Sequence, residues 1–143
     1  MVKKYFGTFH RNLDPKGRLL IPSRFGFGKN EDVFVIRGHE GCLAVYDQQG
    51  FDALMEKYLA MDFENPAERA KVRIMASSTL PTKIDSVGRI LLGKDVIRDY
   101  GIGDNVALLG VLDHFEIWDE AAYGRYMLEN GYVYDAPSKG KAA

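Results

Sequence analysis

Cysteine is nearly absent: Cys42 stands alone in 143 residues, which excludes an internal disulfide and fits a reducing compartment. Long apolar runs are missing too. No stretch approaches the roughly 18 residues needed to cross a bilayer, and the opening "MVKKYFGTFHRNLD" lacks the apolar segment of a secretory signal. These absences lead to the expectation of a cytoplasmic protein with no membrane partner. Compositional bias is lacking as well. With 46% hydrophobic and 12% aromatic residues the chain has what a globular core requires, and only the last eight residues, "APSKGKAA", read as a loose tail.

A strong net charge is the last absence, and it conceals an alternation. The formal total is -1, yet residues 1–29 hold seven Lys/Arg against one acid and residues 30–70 hold three against nine. Residues 71–98 then hold six against two, and 99–143 three against eight. Positive charge is therefore concentrated in two blocks.

Each basic block contains a copy of one motif. "LDPKGRLLIP" at 13–22 returns as "IDSVGRILLG" at 84–93, and "DVFVIRGHEGCLAVYD" at 32–47 aligns without a gap on "DNVALLGVLDHFEIWD" at 104–119. Both copies read as short β-rich runs about a turn, then a second hairpin, then a helix. Asp47 and Asp119 are the expected helix N-caps, for "FDALMEKYLAM" and "EAAYGRYMLEN", with Gly131 stopping the latter. Between the copies Asn65, Pro66 and Glu68 make a capping-box start for a linking helix from about Pro66 to Met75. The division expected is a first repeat at 1–62, a linking helix at 63–78, a second repeat at 79–131 and a tail at 132–143. Repeats of this size would be marginal alone, so they should share one core.

Turn chemistry accounts for most of "DPKG": Asp, Pro and Gly at the first, second and fourth positions suit a type I turn leading into a bulged hairpin. It does not require an arginine directly after the glycine in both copies. Arg18 and Arg89 each follow an aspartate by four residues, where Asp14 and Asp85 can fix a guanidinium for contact with a phosphate or a base edge. Lys16 sits at the first tip, where the second has Val87, and Lys3, Lys4, His10, Arg11 and Arg24 lie near in sequence.

The doubled Asp-x-x-x-Arg turn, with "NPAERAKVR" between the copies and "FEIWDEAAY" after the second, resembles the MraZ family of bacterial transcriptional regulators. The similarity runs to about residue 130. It implies a mainly β fold with α: tandem AbrB-like swapped-hairpin repeats forming an intrachain pseudo-dimeric β-barrel, with helices following each repeat and linking them. It also implies a ring-like homo-oligomer that binds short direct repeats in double-stranded DNA upstream of the division and cell-wall gene cluster, in the cytoplasm and associated with the nucleoid. The family's DNA-contacting motif falls on Asp14 to Arg18 and Asp85 to Arg89. On this reading Lys16, Arg11 and Lys3 or Lys4 contact phosphates and Arg18 a guanine edge, with Arg24 part of the same basic surface.

Other classes find less in the sequence. His39 and Cys42 form an isolated His-x-x-Cys without a second ligand pair, "SSTL" at 77–80 is not a nucleophile elbow, and "GFGK" at 26–29 lacks the spacing of a phosphate loop. No catalytic residue, metal, cofactor or small-molecule substrate is expected. An oligomeric scaffold meeting an acidic protein partner explains the charge blocks equally well, but not an aspartate-held arginine at each turn. Trp118, Tyr46, Phe51, Tyr58 and Tyr123 read as core and helix packing ahead of a subunit interface.

Overall fold

The computed structural model describes residues 3–136; the end of the expected tail, 137–143, lies outside the described residues. Among the described residues eight strands carry the fold. In the first copy β1 (Thr8–Asn12) and β2 (Arg18–Leu20) flank the turn, and β3 (Asp32–Arg37) and β4 (Leu43–Asp47) form the hairpin. In the second, β5 (Leu80–Lys83), β6 (Arg89–Leu91), β7 (Asn105–Gly110) and β8 (Phe115–Asp119) repeat the order. Helices α1 (Gln48–Leu59) and α4 (Glu120–Asn130) follow the hairpins, α2 (Pro66–Ser78) links the copies, and a short α3 (Lys94–Asp99) follows β6.

The copies exchange strands. The larger sheet runs β1-β7-β8-β4-β3-β5, so each copy's first strand pairs with the other copy's hairpin: Thr8 opposite Leu109, and Asp32 opposite Lys83. The smaller sheet is a two-stranded ribbon, β2 against β6, with Leu19 opposite Ile90 at its centre. Among the described residues the hydrogen bonding gives two sheets and no closed barrel.

One core lies between the sheets. Leu19 and Ile90 point into it from the ribbon, and Val33, Val45, Val106, Phe115 and Ile117 meet them from the larger sheet, all fully buried. Burying a side chain of this size contributes about 1.5–3 kcal/mol, and because both copies supply it neither has a complete core alone. Gly110 shows how close the packing is: a Cβ there would lie 2.2 Å from the Phe6 backbone nitrogen, where the N-terminal segment crosses β7.

The expected caps form. Asp47 Oδ1 accepts from the Gly50 N–H at 2.7 Å and Asp119 Oδ2 from the Ala122 N–H at 3.1 Å. Because Asp47 caps directly, α1 starts at Gln48, before the apolar pattern does. Asn65 Oδ1 accepts from the Ala67 and Glu68 N–H groups, but Glu68 accepts from the Asp62 N–H instead of completing a capping box with Asn65. Gly131 does follow α4, though with right-handed backbone leading into a 3-10 turn at Gly131–Tyr134. Trp118 is buried against Tyr123 and Tyr126, and Phe51 stacks on Phe34 at 4.0 Å between ring centres.

Candidate nucleic-acid interface

The two turns have the same internal geometry. In the first, Asp14 Oδ1 accepts from the backbone N–H groups of Lys16 (3.0 Å) and Arg18 (2.8 Å), and Oδ2 accepts from Arg18 Nε at 2.6 Å. In the second, Asp85 Oδ1 accepts from Val87 (2.9 Å) and Arg89 (2.8 Å), and Oδ2 from Arg89 Nε at 2.9 Å. One carboxylate thus closes the turn with one oxygen and orients the arginine with the other. The glycine before each arginine makes this possible, with φ of +79° at Gly17 and +95° at Gly88, a conformation costly for other residues.

These bonds favour the ionised carboxylates. The Arg18 backbone N–H, followed by its side chain, holds Asp14 below the usual carboxylate range, and the Arg89 N–H does most to hold Asp85 there. Both orienting groups therefore stay charged at neutral pH. Binding through Nε leaves the terminal guanidinium nitrogens for an outside acceptor, although Arg89 Nη1 also lies 3.8 Å from Asp14 Oδ2, so the first carboxylate faces both arginines.

Strand exchange brings the turns together. Ile21 N–H donates to the Gly88 carbonyl at 3.0 Å and Leu92 N–H to the Gly17 carbonyl at 2.9 Å, extending the β2–β6 ribbon into the backbone of each turn. Asp14, Arg18, Asp85 and Arg89 consequently share one ribbon, with Lys16 exposed at the first tip.

The remaining basic residues are placed differently. Lys3 is held in the fold, its Nζ donating to the Gly26 carbonyl at 3.0 Å and pairing with Glu31 at 3.3 Å. Lys4 is exposed beside buried Tyr5, away from the turn motif in sequence. Arg11 and Arg24 both lie over the Phe9 ring, at 5.7 and 5.6 Å from its centre. Arg11 also lines a cleft of about 370 Å³ that runs alongside the second turn at Ser86, Val87 and Gly88, and Lys29 shares that cleft. Sequence spacing gave no weight to Lys29, because only strand exchange carries the first copy's loop to the second copy's turn. Val87, standing where the first tip has a lysine, thereby acquires cationic neighbours from the other copy.

Of the three histidines, His10 and His39 are exposed, and His114 alone is drawn against the fold. His114 stacks on Tyr46 at 4.7 Å, lies 2.7 Å from Asp113 Oδ1 and 3.5 Å from Glu116 Oε2, and its side chain is 15% exposed. Burial opposes its protonation, but Glu116 and Asp113 outweigh burial and hold its pKa above the ordinary imidazole value. Cys42 is buried, and burial with Glu116 nearby pushes its thiol up to about 12. Among the described residues no group of three or more His, Cys, Asp or Glu is placed to hold a metal ion, and no helix is long and apolar enough to cross a membrane.

Fold and site together define a class: a two-repeat β protein that exchanges strands within one chain and presents twin aspartate-held arginines on a shared ribbon. The sequence model of the MraZ protein family matches residues 5–74 and 75–132, nearly the whole described chain. This chain belongs to the MraZ family. It is 35% identical over 130 residues to the transcriptional regulator MraZ of Nocardia farcinica, covering 91% of each chain. It is 32% identical to the proteins of the same name from Mycoplasmoides gallisepticum, over 85% of this chain and 86% of that one, and Moorella thermoacetica, over 92% of each. These relatives carry a regulator's name, not an enzyme's.

Proposed function

We propose that this protein is a sequence-specific DNA-binding transcriptional regulator, acting on the division and cell-wall gene cluster, in the cytoplasm and associated with the nucleoid. It binds short direct repeats through its two Asp-x-x-x-Arg turns, presented side by side by a ring-like homo-oligomer. The observation that carries the reading is the shared ribbon: two arginines held by ionised carboxylates, diagonally placed at its two ends, in a chain whose relatives are named transcriptional regulators. An antiparallel two-stranded ribbon is one of the elements the major groove admits, and arginine to guanine is the commonest specific contact there.

Asp14, Arg18, Asp85 and Arg89 form the reading head. Lys16, Arg11 and Arg24 supply phosphate contacts from the surrounding surface, with Lys3 and Lys4 at its margin. Assembly is supported by apolar side chains without cover in one chain, among them Leu59, Leu128 and Tyr134, each more than four-fifths exposed. One ribbon buries little area, so a single chain binds weakly, and linked ribbons gain about 10² to 10⁴ in avidity when repeat spacing matches subunit spacing. Head-to-tail assembly favours direct repeats, whereas a two-fold dimer favours a palindrome.

The test is fluorescence anisotropy against DNA from upstream of the protein's own gene and a shuffled control, across several salt concentrations. Arg18→Ala is expected to lose about 1–3 kcal/mol per engaged site and to relax sequence preference. Lys16→Ala is expected to weaken all sequences alike and reduce the salt slope by about 1 per engaged subunit. A folded, oligomeric Arg18→Ala protein binding at wild-type strength would overturn the assignment.

A further inference from the structure

The outer face of the ribbon carries leucines as well as arginines. In the register Arg18 stands opposite Leu91 and Leu20 opposite Arg89, while Leu19 and Ile90 between them point into the core. Side chains alternate across a strand, so Arg18, Leu20, Arg89 and Leu91 all project outward. Leu20 is 46% and Leu91 52% exposed, and neither is needed to seal the core that Leu19 and Ile90 already close. Lone surface leucines need no explanation. A leucine directly opposite each aspartate-held arginine, at both ends of one ribbon, does.

We propose that Leu20 and Leu91 are specificity-determining residues that contact thymine methyl groups beside the base edges approached by Arg89 and Arg18. The inference rests on the DNA-binding reading above. Side chains directly opposite on an antiparallel pair have Cβ atoms about 4.5–5.5 Å apart, so each end of the ribbon offers a cationic fork and an apolar surface within reach of neighbouring base pairs. The major-groove edge matches that combination, because guanine presents two acceptors to arginine and thymine alone presents a methyl group. Leu20 also leans over the second turn, its Cδ1 3.8 Å from where a Cβ of Gly88 would stand, and it shares a cleft with Val87. A second copy docked two-fold on this same face would set Arg18, Arg89 and Lys16 against like charges. The large uncovered apolar side chains of the helices lie elsewhere.

The experiment compares a labelled duplex from upstream of the protein's own gene with the same duplex carrying deoxyuridine for thymidine, which removes only the methyl groups. Wild-type protein is expected to bind the uracil duplex more weakly, by about 4-fold per contacted methyl, the transfer value of one buried methylene. The Leu20→Ala, Leu91→Ala double variant is expected to bind thymidine DNA more weakly and to bind both duplexes alike. Equal wild-type binding to both duplexes would overturn the proposal whether or not the variant folds, as would a variant that keeps the wild-type ratio. If the wild type prefers its upstream DNA to a shuffled sequence but ignores the methyl groups, this inference fails alone. Without that preference the DNA-binding reading fails with it.

Discussion

Replacing Tyr5 by phenylalanine removes one hydroxyl from the centre of the molecule and leaves the ring in place. That hydroxyl donates to Asp47 Oδ2 at 2.6 Å, with Tyr5 1% and Asp47 7% exposed. The ring itself packs on Phe25, Phe27 and Phe115 at 5.3, 5.6 and 6.0 Å, contacts that phenylalanine keeps. The loss is therefore one buried hydrogen bond to a carboxylate, about 1.5–3 kcal/mol. With an m-value of about 2 kcal/mol/M the urea midpoint should fall by about 1 M with m unchanged, at fixed protein concentration. Asp47→Asn keeps an acceptor for the Gly50 N–H, so a double-mutant cycle isolates the Tyr5–Asp47 term, expected at about 1–2 kcal/mol. There is a pH signature too. Burial, then Asp47, raises the Tyr5 pKa far above its ordinary 10.0, so its contribution is complete below pH 10 and declines as pH rises above that value, where the unfolded chain alone ionises. Tyr5→Phe should show a shallower decline, the remainder coming from Tyr46, whose hydroxyl burial pushes up to about 12. A Tyr5→Phe protein within about 0.5 kcal/mol of wild type, below the range for a hydrogen bond to a charged group, or strict additivity in the cycle, would refute the reasoning.

Two further outcomes follow from the geometry. His114 has a folded-state pKa above its ordinary 6.5, so it stabilises the fold fully below pH 6.5 and progressively less as pH rises through the folded value; NMR titration of its ring should show the raised midpoint, and His114→Gln should lack the decline in stability that begins as pH rises above 6.5. Gly17→Ala should destabilise by about 1–2 kcal/mol from the left-handed backbone, since the one contact under 3 Å, with Ile97 Cδ1 at 2.9 Å, is to the end of a side chain that can swing aside; Gly26→Ala, also left-handed at φ +75° and with open space around it, should cost about the same in urea denaturation.

What was legible in the sequence was local. Both turns, the caps at Asp47, Asn65 and Asp119 and the helices after each hairpin depend on residues a few positions apart, their chemistry is written in residue type, and the repeat is the recurrence of those local patterns. The helix α3 leaves no such mark, since its six residues follow Gly93, whose positive φ of +85° starts it without a side-chain cap. At the candidate site the aspartate–arginine pairs were readable because both partners lie within one turn. The withdrawal of Lys3 into an ion pair with Glu31, the neighbours that Arg11 and Lys29 give the second turn, and the burial of His114 were not. Each arises from contacts between segments distant in sequence, and local patterns carry no record of those. Strand exchange itself came only from the resemblance.

Strand exchange also sets an order on synthesis. Thr8 finds its partner in Leu109, Leu19 in Ile90, Val35 in Leu80 and Leu43 in Ile117, so the first half leaves the ribosome with β1 and β2 unpaired and with β3 and β4 paired only to each other. At about 5–20 residues per second, the second half takes several seconds to appear. During that interval the nascent chain exposes an open edge on each of its four strands and half of an apolar core, the features that invite pairing with the wrong chain. Closing loops of this length makes folding slow even after release. Overproduction would bring many half-made chains together and favour exchange between molecules over exchange within one.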